Sequence, residues 1–176
     1  MNQKREPAIV ICSFYHLPEV IEQADAVVSV LGKSDDLDWP EVGGRSVLRL
    51  AFDDVDASSR NFIAPSREQI ADLIGFARVW NGIGTLVAHC RAGSSRSPAA
   101  AMIAAAALGR PDTASLVMRV ATAQSYFKPN ETMLKLADDL LRPTPRLVDL
   151  ARSIPMPTRT DVWGPVRISL TTLRRP

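Results

Sequence analysis

The sequence predicts an α/β fold, a mostly parallel central sheet flanked by helices, on three observations. Short continuous apolar runs recur, as strands buried on both faces require: AIVICSF at 8–14, AVVSVL at 26–31 and GIGTLVA at 82–88. Long segments between and after them place apolar residues at helical spacing. Turn and cap residues separate the two kinds of segment, so that buried runs are joined by helices.

The elements follow in order. After the first run, residues 18–24 predict a short helix, and the second run follows directly. KSDDLDWPEVGG, with its charges, Pro40 and paired glycines, reads as a loop. SVLRLAF, 46–52, alternates imperfectly and is taken as a strand; DDVDASSRNFIAP reads as an exposed loop. Ser66 with Gln69 three positions on forms a capping-box pattern ahead of Ile70, Leu73, Ile74 and Ala77. A helix from about Arg96 carries Pro98 in its first turn and stops at Gly109. Asp112 or Thr113 caps a helix bearing Leu116, Val117 and Val120, and Asn130 caps another bearing Met133, Leu134, Ala137 and Leu141. One domain over 1–142 is expected, with 143–176 a proline-rich appendage packing on it or partly ordered. The arginines around and within the tail, Arg142, Arg146, Arg152 and Arg159, read as solvated.

Composition narrows the function classes. A chain of 176 residues, 46% hydrophobic and 23% charged, suits one core. With 21 Lys+Arg against 19 Asp+Glu, the balance gives no reason to expect nucleic acid or a membrane surface as partner. The basic start lacks a signal-peptide cleavage pattern, and no apolar run is long enough to span a bilayer. Two cysteines, Cys12 and Cys90, make no disulfide framework, so a cytoplasmic location is the expectation.

Chemistry concentrates in HCRAGSSRS, residues 89–97, between a predicted strand and a predicted helix. Ligands of parallel α/β sheets sit at the carboxyl ends of strands, which is where this stretch falls. A helix starting at Arg96 offers free N–H groups and partial positive charge. The preceding residues Arg91, Ala92, Gly93, Ser94 and Ser95 can curl their amides toward the same point if Gly93 takes a positive φ. Together these form an anion cradle, to which Arg96 adds a planar fork for two phosphoryl oxygens. Cys90 would lie at its base, where the same dipoles favour a thiolate, and a thiolate beneath phosphorus is an in-line nucleophile.

HCRAGSSRS resembles the signature of the cysteine-dependent protein tyrosine phosphatases: His-Cys, five residues, Arg, then Ser or Thr. The surroundings look most like the dual-specificity group and its bacterial stand-alone relatives, most strongly over 46–108. The resemblance implies a protein tyrosine phosphatase-like fold and a hydrolase that forms a phosphocysteine on Cys90 without metal or other cofactor. It implies that Arg96 and the loop amides hold the phosphoryl oxygens, that Ser97 eases departure of the Cys90 sulfur, and that His89 tunes the cysteine through hydrogen bonds to the loop. It also calls for an aspartate general acid on an upstream loop; Asp53, Asp54 and Asp56 are the candidates. Asp54 is preferred because the first aspartate would end the strand and the second reach the mouth of the site. The substrate expected is a phosphorylated protein or a small phosphate ester.

Other readings stand beside this one. A phospho-ligand binding module on the same fold would need no turnover, but such modules typically lose the nucleophile or arginine that this chain keeps. Sulfurtransferases of the rhodanese type also place cysteine in a strand-to-helix cradle, without need of His89, Ser97 or an acid. The DDVD cluster could be a solvated loop or a magnesium site. Cys12 reads as a small apolar strand residue or as a redox partner of Cys90.

Overall fold

The structure, a computed structural model, describes residues 6–110, 112–124, 126–154 and 164–171. Its apolar runs become the inner strands of a single five-stranded sheet. In chain order these are β1 (Ala8–Ser13), β2 (Ala26–Val30), β3 (Ser46–Leu50), β4 (Thr85–Cys90) and β5 (Val166–Ser169), arranged β3-β2-β4-β1-β5. The first four run parallel, while β5 lies antiparallel on the outer edge of β1. This is the mostly parallel α/β sheet that the alternation of apolar runs and helices predicts. β4 occupies the centre, and its last residue, Cys90, is flanked in register by Ser13 of β1 and Val30 of β2.

Six α-helices accompany the strands among the described residues: α1 (Leu17–Val20), α2 (Arg67–Trp80), α3 (Arg96–Ala107), α4 (Thr113–Ala121), α5 (Glu131–Leu141) and α6 (Leu147–Arg152). Side chains alternate across the sheet, so the strands feed two cores. Ile9, Ile11, Val28, Leu86 and Ala88 face the larger one, with α2 through α5, while Val10, Cys12, Val27 and Val87 face a smaller one closed by Leu17, Val20 and Val42. Every residue of α3 is buried, and its alanines let β4, β1, α2, α4 and α5 all approach its backbone. The helix that leaves the cradle is thus held from all sides.

Local signals set the helix boundaries. The Ser66 hydroxyl accepts from the Gln69 amide at 3.3 Å while Gln69 Oε1 accepts from the Ser66 amide at 3.0 Å, closing the expected capping box. Asn130 Oδ1 accepts from the Met133 amide at 2.9 Å and starts α5.

Several boundaries move. β1 ends at Ser13, because Phe14 opens a 3-10 turn, and the expected helix over 18–24 divides into α1 and a further 3-10 turn at Ile21–Gln23. β2 and β3 close at Val30 and Leu50. The third buried run does not start at Gly82: Gly82–Gly84 form the turn out of α2, and β4 continues through His89 and Cys90. Its first amide, that of Thr85, is held by Asp25 Oδ2 at 2.8 Å.

Beyond Pro143 the chain adds α6 and β5 to the domain. Asp138 of α5, itself buried, accepts from the first amides of α6, Leu147 at 2.6 Å and Val148 at 3.1 Å. Arg146 lies 3.4 Å from Asp138 and Arg152 bonds Glu131 at 2.6 Å, and both arginine side chains stay more than half exposed, as solvated arginines should. Arg159 and residues 155–163 and 172–176 lie outside the described residues.

Candidate active site

The turn from β4 into α3 is folded back on itself by its own carbonyls. Phe14 N donates to Arg91 O at 3.2 Å, Lys128 N to Ser94 O at 2.8 Å, and both Asn130 N and Ala99 N to Ser95 O at 3.2 Å. A trans peptide sets its N–H opposite its C=O. With these carbonyls bound on the outside, the amides of Ala92, Ser95 and Arg96 turn to the inside of the loop. Gly93 takes the required positive φ, +80°, and its amide donates to Cys90 Sγ at 3.3 Å. Side chains are excluded there for a second reason: a Cβ would stand 2.7 Å from the Ser13 amide nitrogen.

Cys90 lies at the base of this loop, 2% exposed, with its sulfur 3.2 Å from the Ser97 hydroxyl. Ser97 sits within the first turn of α3 and is fully buried, so its hydroxyl is fixed beside the thiol.

Arg96 is also buried, and its guanidinium is already held. Nη1 donates to Asp35 Oδ2 at 2.8 Å and to Phe52 O at 2.9 Å, and Nη2 donates to Asp35 Oδ1 at 2.9 Å. Burial works against the arginine's charge, but the Asp35 bonds and the neighbouring Cys90 outweigh it and raise its pKa. Asp35 follows β2 in a 3-10 turn, Lys33–Asp35, and was missed by sequence reading because KSDDLDW reads as a charged loop. A signal did exist: β2 lies beside β4, so the residues just after β2 must reach the end of β4.

The three candidate acids part company. Asp53 is fully buried and committed, accepting from the Ser34 amide (2.8 Å), the Ser34 hydroxyl and the Ile63 amide (2.8 Å). Burial alone would raise its pKa, yet these hydrogen bonds hold it below the usual carboxylate range. Asp54 is exposed at the loop's rim, where its Oδ1 accepts from Ser95 Oγ and Asn130 Nδ2, both at 2.8 Å. Asp56, also exposed, accepts from Thr132 Oγ1 at 3.0 Å. A cleft of about 550 Å³ opens here, lined among others by Asp54, Asp56, Ser94, Ser95, Lys128 and Asn130. Asn130, read from sequence only as a helix cap, therefore also belongs to the site.

Two neighbouring groups complete the surroundings of the loop. Neither ring nitrogen of His89 has a partner within strict hydrogen-bond geometry among the described residues, while the Cys90 backbone lies close enough to act on the ring. The ring is buried, its centroid 6.2 Å from that of Phe14, and burial pushes its pKa down to about 4. Cys12 packs in the smaller core while Cys90 belongs to the larger one. Strand alternation thus puts the two thiols on opposite faces of the sheet, which removes the geometric basis for a redox pair. Burial pushes the Cys12 thiol up to about 12.

No protein-family model matches the sequence, and no curated protein sequence matches it. Solved structures do match in fold. PTPMT1, solved in complex with PI(5)P, is 13% identical with a TM-score of 0.56, over 85% of this chain and 93% of that one. Human DUSP28 is 17% identical with a TM-score of 0.55, over 77% of this chain and 92% of that one. DUSP15, also 17% identical, has a TM-score of 0.53 over 84% and 90%.

Proposed function

We propose that this chain, which has the protein tyrosine phosphatase-like fold, hydrolyses phosphate monoesters through a cysteinyl-phosphate. One observation carries the reading: a buried thiol and a buried guanidinium share one amide-lined loop, with a carboxylate on its rim. In the first step Cys90 Sγ attacks phosphorus in line, and the bond from phosphorus to the ester oxygen breaks. Asp54 gives its proton to that leaving oxygen. Arg96 and the inward amides bind the three equatorial oxygens, over which the charge is spread in the transition state. In the second step Asp54 takes a proton from water as the water attacks phosphorus. The sulfur leaves as a thiolate, stabilised by the Ser97 hydroxyl 3.2 Å away and by the Gly93 amide.

The reaction is of the protein tyrosine or dual-specificity type, with a phosphorylated protein or a small phosphate ester as substrate. PTPMT1 was solved in complex with PI(5)P. In this chain the loop positions Ala92, Ser94 and Ser95 carry no charge, and Arg91 supplies the one cation between Cys90 and Arg96. That composition favours singly phosphorylated substrates over highly charged ones. Among the described residues no helix is long and apolar enough to cross a membrane. We place the chain in the cytoplasm on its two unpaired cysteines, both buried.

The test is hydrolysis of para-nitrophenyl phosphate in EDTA by the wild type beside C90S. Turnover by the wild type alone, abolished by iodoacetamide, is expected. Equal turnover in C90S would refute the mechanism, and binding of phosphopeptides without turnover by either protein would favour the binding-module reading.

A further inference from the structure

We propose that Asp53 is a positioning residue: it fastens both ends of the loop that carries Asp54, so that the acid stands at the rim of the cradle before substrate arrives. The proposal rests on the phosphatase reading above, with Asp54 as its acid. The loop needs such a fastening. Residues 56–63 are all exposed, so little apolar burial holds them, and a segment of that kind opens readily unless polar contacts close it. Within it Ser59 N donates to Phe62 O and Ala64 N to Ser58 Oγ, both at 2.9 Å, but these bonds join the loop only to itself. The bonds that Asp54 accepts from Ser95 and Asn130, and Asp56 from Thr132, end on exposed carboxylates and are open to competing water.

Asp53 closes the loop at its base, where it is fully buried. Its amide donates to Ile63 O at 2.7 Å and its Oδ2 accepts from the Ile63 amide at 2.8 Å, a reciprocal pair that joins the two ends. Its Oδ1 accepts from the Ser34 amide at 2.8 Å and from the Ser34 hydroxyl, which ties the same side chain to the turn Lys33–Asp35. The fit there is tight, since a Cβ on Gly32 would stand 2.7 Å from the Asp53 Cα. On the other side, Asp53 O accepts from the Val55 amide at 3.0 Å, a bond between residues two apart that wraps the backbone around Asp54. Amide, carbonyl and both carboxylate oxygens of Asp53 are thus all engaged, and the next residue in the chain is the acid.

Asparagine cannot repeat this arrangement. The partners of both carboxylate oxygens are donors, whereas a side-chain amide has one accepting oxygen and a nitrogen that donates, so either the Ser34 or the Ile63 amide loses its acceptor. The test compares D53N, D54N and the double variant by kcat/KM on phenyl and para-nitrophenyl phosphate, and by binding of tungstate, a tetrahedral oxyanion, in titration calorimetry. In D53N, kcat/KM on phenyl phosphate is expected to fall about tenfold or more, and on para-nitrophenyl phosphate by a smaller factor. Tungstate affinity should stay within about twofold, because no bond of Asp53 ends on Arg96 or on the cradle. In the D54N background the same change should cost less than about twofold, since no acid is left to position. An equal loss on both esters, or the same loss in both backgrounds, would assign Asp53 a merely structural role and overturn the proposal.

If D53N does not fold, amide hydrogen exchange of the wild type decides. Saturating tungstate should slow exchange of the Ile63 amide by less than about threefold, because the loop is already closed. Slowing beyond that would mean that the loop closes only over an anion, and overturns the proposal. A wild type that neither binds tungstate nor turns over either ester ends the phosphatase reading and this proposal with it. An active wild type matched by D53N on phenyl phosphate ends this proposal alone.

Discussion

Replacing Asp54 by asparagine separates chemistry from architecture, because the structure shows what asparagine would keep. Both hydrogen bonds to Asp54, from Ser95 Oγ and Asn130 Nδ2, end on Oδ1, and an amide oxygen can accept both. The residue is exposed, so D54N should alter stability by no more than about 0.5 kcal/mol. What it removes is the proton held for the leaving oxygen. A positioned general acid contributes about 10²- to 10⁴-fold. At 1.36 kcal/mol per decade, that is a barrier increase of about 2.7–5.4 kcal/mol. The loss should fall on kcat, with KM nearly unchanged, since Asp54 is not counted among the groups that grip the phosphoryl oxygens. It should also grow as the leaving group becomes poorer: phenyl phosphate should suffer more than para-nitrophenyl phosphate, whose phenolate departs with less help. Steady-state kinetics over a series of aryl phosphates, with thermal melts alongside, makes the measurement. D54N turning over phenyl phosphate at the wild-type kcat would refute the assignment and move the acid to Asp56, the other exposed carboxylate of the loop. Asp53, buried and bound by Ser34 and Ile63, is not free to serve.

Two further outcomes follow from neighbouring groups. His89, with a folded pKa of about 4 against about 6.5 for a free histidine, should stay neutral, so its ring resonances should not titrate between pH 8 and 5.5 by NMR; a midpoint near 6.5 would contradict its burial. Because the folded value is the lower one, its contribution to stability is complete above pH 6.5. It is lost as pH falls from there toward 4, about 3 kcal/mol in all. G93A places a Cβ at φ +80° against the Ser13 amide, and should abolish tungstate binding while costing roughly 1–3 kcal/mol in urea unfolding. Wild-type tungstate affinity in that variant would mean that the loop does not need its present path.

The legible parts of the molecule are those written in local sequence. Runs such as AIVIC and TLVA are buried on both faces, so their apolar continuity is forced, and Ser66, Gln69 and Asn130 cap helices through contacts three residues long. The cradle was legible for the same reason: Cys90, Gly93, Arg96 and Ser97 act within eight positions of chain. Asp35 was not, since its partner is 61 residues away and its neighbours in sequence are other charges. Neighbouring Asp53 and Asp54 differ in fate because successive side chains point opposite ways, one inward to Ser34 and one out to Ser95. Nor was β5 legible, as VRIS is four residues in a proline-rich stretch whose pairing with β1 spans almost the whole sequence.

That last pairing bears on the order of events during synthesis. Ala8 lies opposite Ser169, so the outer edge of β1 is without its strand partner until the chain has been made as far as β5. At about 5–20 residues per second, the wait is on the order of ten to thirty seconds. Once β4 has been made, β1 can dock on it from one side only until β5 follows, leaving a row of unpaired amides and carbonyls open to other chains. The last described segment to emerge is thus the one that seals the first strand.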